Sequence, residues 1–136
     1  MNTVIFACTQ NAGRSQIAAA FFNLLADPAK ARAISAGTQP AERLHPEVLA
    51  TMKEMGVDLG DAKPQRLTPE LVKSAQIMVT LGGLPDVPVV ADQKREDWPM
   101  IEDTVGKSAA EVEKIRDMTA AIVSDFVTRH GWERAP

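Results

Sequence analysis

The 136 residues predict an α/β fold in which a parallel sheet carries helices on both faces. Three observations lead there. Short, continuous, β-branched apolar runs occur at residues 3–7 and 77–81. Stretches with apolar residues at helical spacing alternate with them, and proline or glycine punctuates the junctions. No linker, internal repeat or low-complexity segment interrupts the pattern, so residues 1–136 read as one domain.

The first strand is Thr3 to Ala7, a buried apolar run ending at Cys8. A tight loop follows over residues 8–14, where Asn11 and Gly13 are both able to take positive φ. Ile17, Ala18, Phe21, Phe22, Leu24 and Leu25 then recur as a helix from Ser15 to Ala26, stopped by Asp27-Pro28. Residues 31–35 form a weaker strand with a turn at Gly37. Pro46 suits the first turn of a helix that places Val48, Leu49, Met52 and Met55 on one face and stops at Gly56. Thr68-Pro69-Glu70 starts a short helix to about Ser74. Ile77 to Leu81 is the second central strand, broken by Gly82-Gly83. Residues 82–93 read as a loop, Glu96 to Ile101 as an edge strand containing Pro99, and 102–107 as a second loop. The longest apolar stripe, Val112 to Phe126, makes a helix from Ser108 to about Gly131.

Composition narrows the function. A net charge of -3 gives no electrostatic reason to bind nucleic acid or an anionic membrane, and no tyrosine is available for stacking on bases. No run has the length of a transmembrane helix, and with no basic region and long apolar stretch near residue 1 a secretory signal is not expected. One cysteine excludes an internal disulfide and every zinc site built from cysteine pairs. With two histidines far apart, no metal is expected. A cytoplasmic location is expected, where a free thiol stays reduced.

That cysteine stands where ligands bind in such folds, beyond the carboxyl end of a strand. In Cys8-Thr9-Gln10-Asn11-Ala12-Gly13-Arg14-Ser15 a thiol, five residues, an arginine and a hydroxyl lie between strand and helix. A loop curled there points N–H groups inward, and the following helix adds its positive end. Thr9, Gln10, Asn11, Ala12, Gly13, Arg14 and Ser15 are therefore expected to bind a tetrahedral oxyanion, with Ala12 and Gly13 keeping side chains clear of the ring. The Arg14 fork can hold two oxygens at once, and Asn11 can fix the loop through its neighbouring backbone. Cys8 would act as a thiolate nucleophile, with the Ser15 hydroxyl donating to it.

Departure of oxygen from phosphorus or arsenic needs a proton. Asp103 is the leading candidate, because the loop at 102–107 should return to the same edge of the sheet; Glu102 is second. Asp86 and Asp92 are weaker, and His45 reads as a helix-entry residue.

These residues resemble a known family. Cys8-x5-Arg14-Ser15 on a strand–loop–helix is similar to the signature of the low-molecular-weight protein tyrosine phosphatases and the arsenate reductases that share their fold. Asn11 to Ala18 resembles the arsenate reductase branch, since phosphatase relatives usually carry proline where Gln16 stands. Ser35-Ala36-Gly37-Thr38, the His45-Pro46 helix with Met52 to Asp58, Val79 to Gly82, and the segment around Trp98 and Asp103 extend the likeness over nearly the whole chain. The resemblance implies a flavodoxin-like three-layer sandwich with four parallel strands in the order 2-1-3-4. It implies Cys8 as nucleophile, Arg14 as oxyanion clamp, Ser15 as thiolate partner and Asp103 as general acid. Asp103-Thr104 departs from the usual Asp-Pro, so Glu102 stays open.

Other departures shape the expected reaction. Thioredoxin-coupled members relay oxidation through two more cysteines after the third strand, where this chain has Leu81 to Pro88 with none. Ala19 stands where those members carry a glutamate that helps a potassium site, so that site is expected to be absent. Gly13 replaces a second cysteine found in many phosphatases. No aromatic follows the acid loop. The resemblance therefore implies an arsenate reductase or arsenate–thiol transferase, resolved by an external thiol such as mycothiol or glutathione with glutaredoxin. The expected partners are arsenate or phosphate and that thiol or a glutaredoxin-like protein, acting on a monomer or weak dimer. The alternatives are a phosphomonoester hydrolase working through a phospho-cysteine, and a non-catalytic oxyanion sensor.

Overall fold

The computed structural model describes residues 1–82, 84, 87–88 and 90–135. Four strands form one sheet: β1 (Asn2–Cys8), β2 (Ala31–Gly37), β3 (Ile77–Leu81) and β4 (Lys94–Trp98). All neighbours run parallel, in the order β2-β1-β3-β4. The four helices are α1 (Arg14–Leu25), α2 (Pro46–Glu54), α3 (Pro69–Lys73) and α4 (Ala109–Arg129).

The two central strands are the two continuous apolar runs of the sequence. Every residue of β3 is buried, as are all of β1 after Asn2, because both faces are covered. β4 differs from expectation. It begins two residues earlier, at Lys94, and ends at Trp98, with Pro99 in the turn that follows. An edge strand pairs on one side only, so Lys94 and Arg95 enter the ladder while their side chains stay in water.

The faces are covered unequally. On one, α1, α4 and α2 bury Phe21, Phe22, Val48, Met52, Val123 and Phe126 against Val4, Phe6 and Val79. Phe6 anchors this side, with its ring 6.0 Å from Phe22, 5.6 Å from Trp98 and 6.4 Å from Phe126. Edge-on contacts of this kind add to the burial energy of the rings. The other face has only α3, five residues long, together with Leu67, Leu84 and Val87 over Ile5, Ala7 and Met78. Helices do lie on both faces, but one is a single short turn flanked by loop.

Ser108 caps α4 reciprocally: its hydroxyl accepts from the Glu111 N–H and the Glu111 carboxylate accepts from the Ser108 N–H. This fixes where α4 starts, and so how far the loop at 102–107 can swing. Among the described residues, no helix is long and apolar enough to cross a membrane.

Candidate active site

The loop between β1 and α1 is shaped by its carbonyls. Cys8, Thr9, Gln10 and Ala12 give their oxygens to the N–H groups of Thr38, Gln39, Ala41 and His45, at 3.1, 2.8, 3.0 and 3.0 Å. The Asn11 oxygen accepts from the Gln16 amide at 3.1 Å. In a trans peptide the carbonyl and the next N–H point opposite ways. With the oxygens of 8–10 and 12 turned to the segment at 38–45 and that of Asn11 to α1, the N–H groups of 9–13 turn the other way, and that of Asn11 meets Cys8 Sγ. The loop therefore curls with its N–H groups on its inner side, and its outer wall is the stretch after β2.

Cys8 lies at the ring's base, 2% exposed. Its Sγ stands 2.9 Å from Ser15 Oγ and receives the Asn11 N–H at 3.3 Å. Asn11 Nδ2 donates to Ser15 Oγ at 2.7 Å, which leaves the hydroxyl proton of Ser15 for the sulfur. The Asn11 N–H and the Ser15 hydroxyl thus both converge on Sγ.

Asn11 does take positive φ, at 52°, whereas Gly13 does not. Asn11 also fixes the loop differently from expectation. Its Oδ1 accepts from the Gln65 N–H at 2.9 Å and from Gln16 Nε2 at 3.1 Å, so the side chains of Ser15 and Gln16 and a backbone N–H 54 residues away hold it, rather than its own neighbouring backbone.

Arg14 is 9% exposed at its side chain, and Asp103 Oδ2 lies 3.6 Å from its Nη2. The other Asp103 oxygen accepts from the Val105 N–H at 3.1 Å, which orients the carboxylate. Gly82 sits beneath the guanidinium with φ +81°, and a Cβ there would lie 2.0 Å from Arg14 Nη1. The end of β3 thus makes room for the arginine fork.

The other carboxylates separate. Glu102 is exposed and pairs with Lys107 at 3.9 Å, away from Arg14. Asp92 precedes β4 and lines a cavity of about 410 Å³ at the opposite end of the strands, with Lys73, Gln76, Lys94 and His130. Asp86 lies outside the described residues, as do Gly83 and Pro85 of the same loop. Among the described residues no group of histidine, cysteine and carboxylate side chains could hold a metal ion.

Sequence reasoning passed over Gln65, Gly82 and the ring of His45. His45 does enter α2, at its N-cap, but its ring also bonds Thr104 Oγ1 and Gln10 Oε1. The departure at Asp103-Thr104 was the visible signal for that contact. For Gln65 there was none, since its role is a backbone N–H.

A single cysteine bonded within a β1–α1 ring, with an arginine and a facing carboxylate, defines a recognisable site. The low molecular weight phosphotyrosine protein phosphatase profile matches residues 3–128. The chain belongs to that family. A putative arsenate reductase of Halobacterium salinarum is 32% identical over 118 residues, which cover 82% of this chain and 81% of that protein. An arsenate reductase of Staphylococcus aureus strain Newman is 29% identical over 131 residues, covering 93% of this chain and 97% of its own. Among solved structures, the thioredoxin-dependent arsenate reductase of Corynebacterium glutamicum superposes with a TM-score of 0.81 at 29% identity. That match covers 95% of this chain and 61% of the larger one.

Proposed function

We propose that this family member is an arsenate reductase in which Cys8 opens the reaction and an external thiol closes it. The observation that carries the reading is the Cys8 sulfur, bonded by Ser15 and Asn11 in the ring, in a chain with no second cysteine. Relatives named arsenate reductase, at 29–32% identity, support the choice of oxyanion.

Arsenate binds in the ring, held by inward N–H groups and the Arg14 fork. The Cys8 thiolate attacks arsenic in line with one As–OH oxygen, forming S–As as that As–O bond breaks. Asp103 gives its proton to the departing oxygen, which leaves as water. An external thiolate then attacks arsenic, the S–As bond to Cys8 breaks, and Cys8 is restored as thiolate. A second thiol attacks the sulfur of that adduct. The product is a disulfide, and the two electrons released take As(V) to arsenite. Mycothiol, or glutathione with glutaredoxin, is the proposed thiol. A reducing compartment such as the cytoplasm would keep Cys8 ready. Every residue of the ring comes from one chain, so a monomer suffices.

The phosphatase reading is favoured by the family profile itself, and needs only water in place of the external thiol. One comparison separates the two. The protein is incubated with arsenate and each of mycothiol with mycoredoxin, glutathione with glutaredoxin, and thioredoxin. Arsenite is measured, alongside hydrolysis of an aryl phosphate. Thiol-dependent arsenite, abolished in Cys8→Ser, is expected. Fast hydrolysis without arsenite refutes the reductase reading in favour of the phosphatase. Arsenate binding with neither activity would leave an oxyanion sensor.

A further inference from the structure

The loop that carries Asp103 is open to water except at one residue. Glu102, Asp103, Val105 and Gly106 are exposed, while Thr104 is 3% exposed. Its hydroxyl fills the space left by Gly13, where a Cβ would come within 2.0 Å of Thr104 Oγ1. From there it reaches His45 Nδ1 at 2.8 Å. The far side of the same ring, Nε2, lies 3.0 Å from Gln10 Oε1. The two ring nitrogens thus tie Thr104 on one side to Gln10 on the other, with Nε2 donating where the Gln10 amide oxygen faces it. The His45 N–H is itself bonded to the Ala12 carbonyl at 3.0 Å.

A continuous path therefore runs from the acid loop through Thr104 and His45 to two residues of the oxyanion ring. We propose that Thr104 and His45 are positioning residues: a buried latch that docks the loop at 102–107 onto the ring and sets Asp103 over Arg14. The latch rests on the reading of Asp103 as proton donor. It goes beyond that reading in assigning a role to two residues outside the reacting set.

The physical case is one of constraint. Asp103 is half exposed, and its contact with Arg14 is long, at 3.6 Å. A carboxylate on such a loop would sample many positions. Fixing the next residue along the chain by a buried hydrogen bond in a fitted notch removes most of that freedom. Removing the Thr104 hydroxyl takes no charge from the site, so its loss should change where the loop spends its time rather than the charge around Arg14. Gly13 belongs to the same device, because any side chain there would expel the hydroxyl.

The test compares Thr104→Val, which removes the hydroxyl at nearly constant volume, with Thr104→Ser, which keeps it. Amide hydrogen exchange across residues 102–107 and steady-state arsenate reduction are measured on each. Thr104→Val should speed exchange of that loop by roughly tenfold and lower kcat by about as much, the scale of one lost buried hydrogen bond. KM for arsenate should move by less than about twofold, since Arg14 and the ring are untouched. Thr104→Ser should match the wild type in both. His45→Ala, cutting the path from the other side, should release the same loop. Wild-type exchange in Thr104→Val, or equal damage in the valine and serine variants, would overturn the latch. If the wild type yields no arsenite, the proposed function falls, while the exchange comparison still decides the latch.

Discussion

Arg14 and Asp103 show how much one side chain's surroundings decide. The guanidinium lies over Gly82, whose φ of +81° and missing Cβ both matter. Gly82→Ala would force a side chain into Arg14 Nη1 and strain the backbone as well. Arsenate binding should weaken by at least about tenfold, the order of a lost bidentate contact, and calorimetric titration would measure it. Undiminished affinity would mean that the fork does not bind the oxyanion from this position. Asp103 makes a second, opposed prediction. Its carboxylate lies 3.6 Å from Arg14 and competes with an oxyanion for the same cation. Asp103→Asn should therefore bind arsenate as tightly or more tightly, yet lower kcat by about 100-fold, within the usual range for a lost general acid. Glu102→Gln, on the exposed side and paired with Lys107, should leave both unchanged. A larger effect at Glu102 than at Asp103 would reverse the assignment. At this scale the places of Cys8, Arg14 and Ser15 were legible in the sequence, because an apolar run ends at the first and a helical period opens at the other two. Gly82 was legible only as a strand breaker, since what it clears is a side chain 68 residues earlier.

Elements were easier to read, for the reason that apolar period and capping are local. The run Ile77–Leu81 is β3 to the residue, and Ser108 begins α4 through a reciprocal cap. β4 starts two residues and ends three residues before the stretch the sequence predicts, because a one-sided ladder tolerates charge and leaves no apolar pattern to mark its start. The C-terminal end of α4 yields a prediction that no period could supply. His130 follows α4 with its ring stacked 4.4 Å from Trp132 and edge-on to Phe126 at 4.7 Å. Burial, and then the neighbouring Arg129, push its pKa below the usual 6.5. The unfolded chain therefore takes up this proton more readily than the folded one. Stability from His130 is fully present above about pH 6.5, declines as pH falls through that value, and levels off below the depressed folded pKa. Denaturant melts of wild type and His130→Gln between pH 7.5 and 5 should diverge in slope, with the glutamine variant flatter. Parallel curves would show that His130 titrates alike in both states.

For the whole molecule, the decisive fact is that two unequal layers cover one sheet. On one face, α1, α2 and α4 enclose a connected set of rings from Phe6 to Trp132. On the other, the five residues of α3 and a few loop side chains cover Ile5, Ala7 and Met78. Apolar burial supplies most of the favourable free energy of folding, so the layers should not open at equal cost. The thin side should open first, exposing Met78 while the aromatic side stays closed. Native-state hydrogen exchange should then find amides of α3 exchanging through a sub-global opening, well below the free energy that protects mid-α4. Phe126→Ala should lower global stability by about 3–5 kcal/mol, the usual cost of deleting a buried aromatic. Val72→Ala, which removes the buried side chain of α3, should accelerate exchange mainly on its own face. The ring spans the boundary between these layers: its base is β1, its inner edge is α1, and its outer wall is the segment at 38–45. Cys8 and α1, which carries Arg14, belong to the larger core, so the proposed oxyanion site should remain intact during opening on the α3 side. Arsenate, binding the ring, should protect α1 and the β1–α1 loop while leaving exchange in α3 unaltered. Equal protection of α3 and α4 in the free protein would show one cooperative unit and defeat this two-layer reading.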